Sequence, residues 1–205
     1  MTSRRDRFIG RIAGVGTTSG VRVVVGRWEQ SPWGGFTDVM LAQPDGLRVL
    51  LAPSGQVAEF VAATYTFDRV ELGPVAVTDD GSGWQVTAPG LVLRLATGRR
   101  RLVGRLLGVV PRRVSTAPAW AAVTDPVARV AMRGVRTRGT AGNGRREYYG
   151  ATDLHAVDAV EGTWRGRPLG ALAAVDPDPG YGFGSTPRRP SVTSLVTTVS
   201  HRLLD

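Results

Sequence analysis

The sequence contains no cysteine and no lysine, so all 26 of its basic residues are arginine. Without cysteine the chain forms no disulfides and offers no thiolate for zinc, for iron–sulfur clusters or for nucleophilic catalysis. Without lysine it has no amine for a Schiff base, for anchoring pyridoxal phosphate or for a Walker-type phosphate loop. Its two histidines are too few for a His₃ zinc site. We therefore predict no metal site and no cofactor.

The length of 205 residues and a hydrophobic fraction of 42% predict one β-rich domain over residues 1–205. The net charge is +9, but one Asn, two Ile and abundant Arg, Gly, Ala and Val are typical of coding in a GC-rich genome. The excess charge alone therefore indicates no nucleic-acid partner. Its distribution is more informative, because the segment between Asp80 and Asp125 contains arginines and no acidic residue.

The N-terminal segment indicates no targeting signal. Arg4-Arg5 resembles a twin-arginine start, but Arg11 and Arg22 interrupt the residues that would form an apolar signal region. No run approaches the roughly 20 apolar residues that a membrane span needs. We therefore expect a soluble, cytoplasmic protein, and the sequence leaves its oligomeric state open.

Short β-branched and alternating segments separated by turn residues predict a mainly antiparallel α+β fold, a curled sheet or barrel. Gly14–Gly20 looks like a nucleotide-binding loop, but the strand-like Val21–Val25 follows it where a helix is required, so we predict a hairpin turn. By analogy the architecture is comparable with lipocalin-like and acetoacetate-decarboxylase-like barrels. Decarboxylase chemistry of that kind needs an amine nucleophile, and this chain has no lysine to supply it.

Two helical regions interrupt the strand pattern. Ser54 is a predicted N-cap for a short helix over Gly55–Thr64. Apolar residues at helical spacing in Arg99–Val110 begin a predicted helical insertion near residues 99–132. The spacing of Gly104 and Gly108 suits close packing against a neighbouring backbone. The alternative is that the basic face of the Arg99–Arg113 helix contacts another polyanion or anionic lipid, which would make polyanion binding or peripheral membrane contact its function.

The densest group of possible catalytic residues is Glu147, Tyr149, Asp153 and His155. On a regular strand these four side chains share one face, where a carboxylate beside an imidazole can fix its tautomer and raise its pKa. This pattern predicts acid–base catalysis at His155, oriented by Asp153 and assisted by Tyr149 or Glu147. The alternative is an ordinary half-exposed strand.

The leading prediction is a barrel-type module that binds a small, partly apolar or anionic molecule. Its predicted ligand-binding residues are the aromatic Trp33, Trp84 and Trp164 and, near the mouth, the basic Arg94, Arg136 and Arg138. Aromatic side chains would line an apolar pocket, and arginines would pair with an anionic end. Simple core packing of the tryptophans is the alternative.

Several strings together resemble a family of hypothetical proteins from GC-rich bacteria. They span most of the chain and comprise Phe36–Met40, Leu50–Pro53, Ala63–Asp68, Gly134–Gly139, Tyr149–His155 and Gly184–Pro187. No activity carries over from this resemblance.

Overall fold

A computed structural model describes residues 4–111, 138–140, 146–182 and 186–201. The described elements are, in chain order, β1 Arg4–Thr17, β2 Arg22–Gln30, β3 Phe36–Ala42, β4 Arg48–Ala52, α1 Gly55–Ala62, β5 Arg69–Leu72, β6 Ala76–Asp79, β7 Gly83–Ala88, β8 Leu91–Arg100, α2 Leu102–Val109, β9 Arg138–Thr140, β10 Arg146–Trp164, β11 Arg167–Pro168, β12 Leu172–Ala173 and β13 Ser191–His201. The predicted α+β class with mainly antiparallel strands is confirmed.

The strands form one sheet whose main path runs β5-β4-β3-β2-β1-β13-β10-β8-β7-β6. Its centre joins the two ends of the described chain, because β1 pairs with β13 from Arg4↔His201 to Gly14↔Ser191. β1 and β2 form the hairpin predicted around Gly14–Gly20. The parallel pair β4–β5 is connected through α1, which supplies the crossover that parallel strands require.

The sheet is curled so that its two edges approach each other. The edge strands β5 and β6 are joined by residues 73–75 alone, which span at most about 15 Å. Asp79 on β6 forms ion pairs with Arg11 on β1, at 2.7 Å, and with Arg27 on β2, at 3.1 Å. β6 is five strands away from β1 along the sheet, so these contacts cross the interior of the curl.

Alternation along the strands divides the side chains between two apolar clusters. The inner cluster contains residues of both halves of the sheet, including Val23, Leu41, Leu93 and Trp84. The outer cluster lies on the opposite face of β2, β3 and β4 and is covered by α1 through Val57, Ala58 and Val61. β2 to β4 are therefore buried on both faces, which explains their nearly continuous apolar sequence.

The helices agree with the predictions in part. Ser54 caps α1 as predicted, since its hydroxyl accepts a hydrogen bond from the Val57 N–H at 3.3 Å. β8 continues through Arg100, so the predicted insertion near residues 99–132 starts as a helix only at Leu102. Residues 112–132 of that insertion lie outside the described residues. Within the described ranges, no helix is long and apolar enough to cross a membrane.

Candidate functional site

A cavity of about 40 Å³ lies on the outer face of β1, β2, β3 and β13, beneath α1 and the residues that follow it. We call it the α1 pocket. Its wall is mostly apolar and aromatic, with a few polar side chains pointing in from the strands. The lining residues are Phe8, Ile12, Val24, Gly26, Trp28, Phe36, Asp38, Met40, Phe60, Val61, Thr64, Tyr65, Tyr149 and Thr197.

Stacked and edge-on rings form one side of the α1 pocket. Phe8 on β1 stacks on Phe60 of α1 with ring centres 4.8 Å apart, and the edge of Trp28 on β2 meets Phe8 at 5.8 Å. Trp33 packs edge-on against Phe60 at 4.9 Å from outside the pocket. Such ring pairs contribute about 0.5–1.5 kcal/mol each in addition to the energy of burying their surface, so these contacts hold the rings of this wall in place.

Asp38 places a carboxyl group inside this apolar wall. The residue is 3% exposed, and its Oδ1 accepts a hydrogen bond from Trp28 Nε1 at 3.1 Å. Burial raises the pKa of Asp38 to about 7, and the hydrogen bond from Trp28 offsets part of that effect. No described residue forms an ion pair with Asp38 under the usual distance limit. The group therefore changes charge near neutral pH without a partner cation.

Gly26 makes room for the hydrogen bond between Trp28 and Asp38. It lies opposite Asp38 in the β2–β3 pair. A Cβ atom at this position would lie 2.5 Å from Asp38 Oδ1 and 2.8 Å from Trp28 Nε1. Both distances are too short for carbon, so a larger residue would displace the pair from the pocket.

The other polar groups enter from β10, β13 and the residue segment after α1. The hydroxyls of Tyr65 and Tyr149 are hydrogen-bonded at 2.5 Å. Thr197 lies opposite Tyr149 in the β10–β13 pair, is 5% exposed, and its buried Oγ1 has no hydrogen-bond partner among the described residues. An unsatisfied buried hydroxyl costs about 1–3 kcal/mol, so Thr197 is a polar group available to a bound molecule.

The α1 pocket can therefore recognise a molecule but contains few groups for covalent chemistry. Below pH 7 the Asp38 carboxyl can donate or accept a hydrogen bond, and above pH 7 the carboxylate accepts from a donor or a cation. A volume of about 40 Å³ holds a group of a few heavy atoms, so the α1 pocket can take the polar end of a longer molecule.

A β-bulge separates the four residues predicted to be catalytic. The register between β10 and β13 shifts between Ala151 and Asp153, which reverses the alternation of side chains along β10. Tyr149 consequently pairs with Thr197 on the pocket face, whereas His155 pairs with Val192 of the inner cluster. The expectation that Tyr149 shares a face with Asp153 and His155 is wrong for this reason. The side chain of Glu147 lies outside the described residues.

Asp153 and His155 do meet, away from the α1 pocket. Their Oδ2 and Nε2 atoms are 3.5 Å apart, and His155 Nδ1 lies 3.2 Å from the Gly98 carbonyl oxygen. Arg100 Nε binds Asp153 Oδ1 at 2.7 Å. Although burial opposes it, the hydrogen bonds from Arg100 and from the Leu154 N–H hold the pKa of Asp153 below its usual value. Acid–base catalysis here stays a prediction that rests on this pair alone.

The predicted ligand-binding residues whose side chains the structure describes do not gather at one site. Trp84 and Trp164 are 1% and 5% exposed and belong to the inner cluster, so they pack the interior. Arg94 is exposed and lies opposite Glu161 in the β8–β10 pair. Arg136 lies outside the described residues, as does the side chain of Arg138, whose backbone pairs with Tyr148. Of the four whose side chains the structure describes, Trp33 contacts the wall of the α1 pocket, through Phe8 and Phe60.

Sequence reasoning overlooked Asp38, although a signal was present. Asp38 shares strand parity with Phe36 and Met40, so a charged residue occupies an apolar face of β3. A carboxyl at such a position indicates either a buried partner or a functional group. Across the described ranges, no group of three or more metal-ligating side chains is present.

Comparison with known proteins gives two structural likenesses. No protein-family model and no curated protein matches the sequence. The crystal structure of acetoacetate decarboxylase from Legionella pneumophila has a TM-score of 0.42 and 10% identity, over 96% of this chain and 84% of that one. A putative AttH from Nitrosomonas europaea has a TM-score of 0.28 and 10% identity, over 98% of this chain and 53% of that one.

Proposed function

We propose that the α1 pocket receives the polar end of a small, partly apolar molecule and that Asp38 anchors that end. The observation that carries the proposal is a carboxyl group buried in an aromatic wall with no cationic partner among the described residues. A buried carboxyl group without a cationic partner lowers the stability of the fold, so it is typical of a site that binds a ligand.

The charge of Asp38 determines the class of ligand. A ligand with an amine or another hydrogen-bond donor satisfies the carboxylate, whereas an anionic ligand is repelled by it. The proposal therefore replaces the anionic end expected from the arginines with a donor or cationic end. The unpartnered Thr197 hydroxyl and the Tyr65–Tyr149 pair offer further hydrogen bonds on the β10–β13 side.

Three probes test the proposal, benzylamine, benzyl alcohol and benzoate, which share a ring and differ in the charge of the polar end that would enter the pocket. The Trp28 indole N–H, which donates to Asp38, is an NMR reporter inside the pocket. We expect its resonance to shift on titration, with benzylamine binding best above pH 7 and benzoate binding least. We expect Asp38→Asn, which keeps the acceptor for Trp28, to weaken benzylamine binding at pH 8 roughly tenfold to a hundredfold.

The matched control is Glu59→Gln, which removes one carboxylate from the exposed side of α1. It should leave benzylamine binding unchanged. Saturable binding of benzylamine that is equally strong in Asp38→Asn would overturn the role of Asp38. An indole resonance that none of the three probes moves would overturn the α1 pocket as the binding site.

A further inference from the structure

α2 packs on the sheet with apolar side chains facing outward. Leu102, Leu106 and Val109 are 70%, 62% and 81% exposed, and their spacing of four and three residues places them on one face. A surface helix of a globular protein normally turns such a face to the core. We call these three residues the α2 stripe.

The opposite face of α2 fixes this orientation. Gly104 is the buried residue of the helix, and a Cβ atom there would lie 2.5 Å from the Leu154 carbonyl oxygen and 2.7 Å from the Leu154 nitrogen. The Arg101 N–H donates to the Leu154 carbonyl at 2.9 Å, directly before the helix. The glycine face therefore lies against the β10 backbone, and the helix cannot turn its stripe inward without losing this contact.

In the sequence, arginines flank the α2 stripe and no acidic residue lies near it. Residues 81–111 contain five arginines and neither Asp nor Glu. Arg99 and Arg105 are exposed and form no ion pair with a described residue, whereas Arg100 is held by Asp153 and Arg101 donates to the Pro190 carbonyl. Arg105 on α2 and Arg99, three residues before the helix, therefore add positive charge to the segment that carries the apolar stripe.

We propose that the α2 stripe docks on the surface of an anionic lipid bilayer. An apolar face bordered by arginines matches the boundary between anionic headgroups and acyl chains, where such a helix lies in the plane of the membrane. The eight residues of α2 extend only about 12 Å, so the helix lies on the surface. A second copy of the chain fits less well, because its own stripe would bring the same positive charges.

Vesicle co-sedimentation tests the proposal with phosphatidylcholine vesicles and with vesicles that also contain phosphatidylglycerol. We expect binding to the mixed vesicles, weakened by salt, and little binding to phosphatidylcholine alone. Replacing the stripe with serine in L102S/L106S/V109S should abolish binding. Replacing both free arginines in R99Q/R105Q should weaken it roughly thirtyfold.

The matched control removes an equal number of exposed apolar side chains elsewhere, in V70S/L72S/V92S. It should bind mixed vesicles like the unmodified protein, and thermal unfolding of all variants verifies that they fold. Three results would overturn the proposal: no binding to either vesicle, equal binding by the stripe variant, or sedimentation showing a dimer that L102S/L106S/V109S dissociates. A fluorophore at position 106 that is shielded from quencher without lipid would likewise overturn it, because the stripe would already be covered.

Discussion

Asp38 makes the stability of the protein depend on pH in a direction unusual for an aspartate. Its pKa is about 7 in the folded state against 3.8 for the ordinary group, so folding favours the protonated form. Below pH 4 Asp38 is protonated in both the folded and the unfolded state, so its shifted pKa does not affect stability. The free energy of unfolding falls as the pH rises to 7 and levels off above it. Between pH 4 and pH 7 the free energy of unfolding falls by about 4 kcal/mol through this group.

We expect Asp38→Asn to remove this part of the pH dependence. The amide oxygen still accepts from Trp28 Nε1, and no buried charge forms at high pH. Urea unfolding at pH 5 and pH 8 should show the variant gaining stability relative to the unmodified protein as the pH rises. Glu59→Gln serves as the control with the same change of charge at an exposed site, and equal pH profiles for all three proteins would contradict the expectation.

Thr197 and Thr17 are both buried, and we expect replacement by valine to change the stability of the protein in opposite directions at the two positions. Thr197 Oγ1 has no partner among the described residues, whereas Thr17 Oγ1 donates to the Val21 carbonyl at 2.8 Å. Thr197→Val should therefore raise the free energy of unfolding by about 1 kcal/mol, and Thr17→Val should lower it by a similar amount. Urea unfolding measures both, and a loss of stability in both variants would show that Thr197 has a partner.

At the scale of single elements, α2 offers a test based on its two glycines. A Cβ atom at Gly104 meets the backbone of Leu154, whereas one at Gly108 meets only the flexible end of Arg100. Gly104→Ala should destabilise the protein by about 1–3 kcal/mol, because β10 cannot move aside. Gly108→Ala should be neutral or stabilise the helix by up to about 1 kcal/mol, because alanine is the better helix former.

Thermal unfolding monitored by circular dichroism measures both alanine variants. Equal effects at the two positions would show that α2 does not rest on β10 through Gly104. The prediction that these glycines suit close packing is confirmed for Gly104, whose neighbour is backbone. The sequence period indicates which residues share a face of α2, but it carries no information on which face the sheet accepts.

β10 shows why local patterns predict elements better than sites. Its strand character follows from its residues, but the bulge before Asp153 depends on pairing with β13, about 40 positions further along the chain. One additional residue reverses the side of the residues that follow it, as far as the next irregularity of the strand, which comes after His155. Asp153 and His155 stay together because both lie beyond the bulge, whereas Tyr149 lies before it.

At the scale of the whole molecule, the curled sheet follows from β-branched and alternating segments separated by turn residues at hairpin spacing. The order of the strands does not follow from these patterns, because the central pairing of β1 with β13 joins segments that are farthest apart in the sequence. The prediction of an inner ligand pocket lined by Trp84 and Trp164 depended on that missing information. Both rings fill the inner cluster, and the α1 pocket lies on the other face.

The β1–β13 pairing has a consequence for folding kinetics, because closing a loop of nearly the whole chain costs entropy before contacts compensate for it. Arg4 and His201 are paired neighbours, so a short glycine–serine linker joins these residues in a circular permutant. New ends at Gly46 or at Gly81 interrupt exposed turns, and both glycines have open space around them. Each permutant turns β1 and β13 into a local hairpin and separates a different pair of strands.

We expect both permutants to keep the fold and to refold roughly tenfold faster or more than the unpermuted protein, since the loop-closure entropy of the central pair is largely removed. Stopped-flow tryptophan fluorescence measures refolding, and the Trp28 indole resonance verifies that the α1 pocket forms. Both permutants contain the new β1–β13 hairpin but interrupt different turns, so comparing them separates the effect of the hairpin from that of the interrupted turn. If neither permutant refolds faster, the β1–β13 pair forms after the rate-limiting step, and folding is governed by the local hairpins instead.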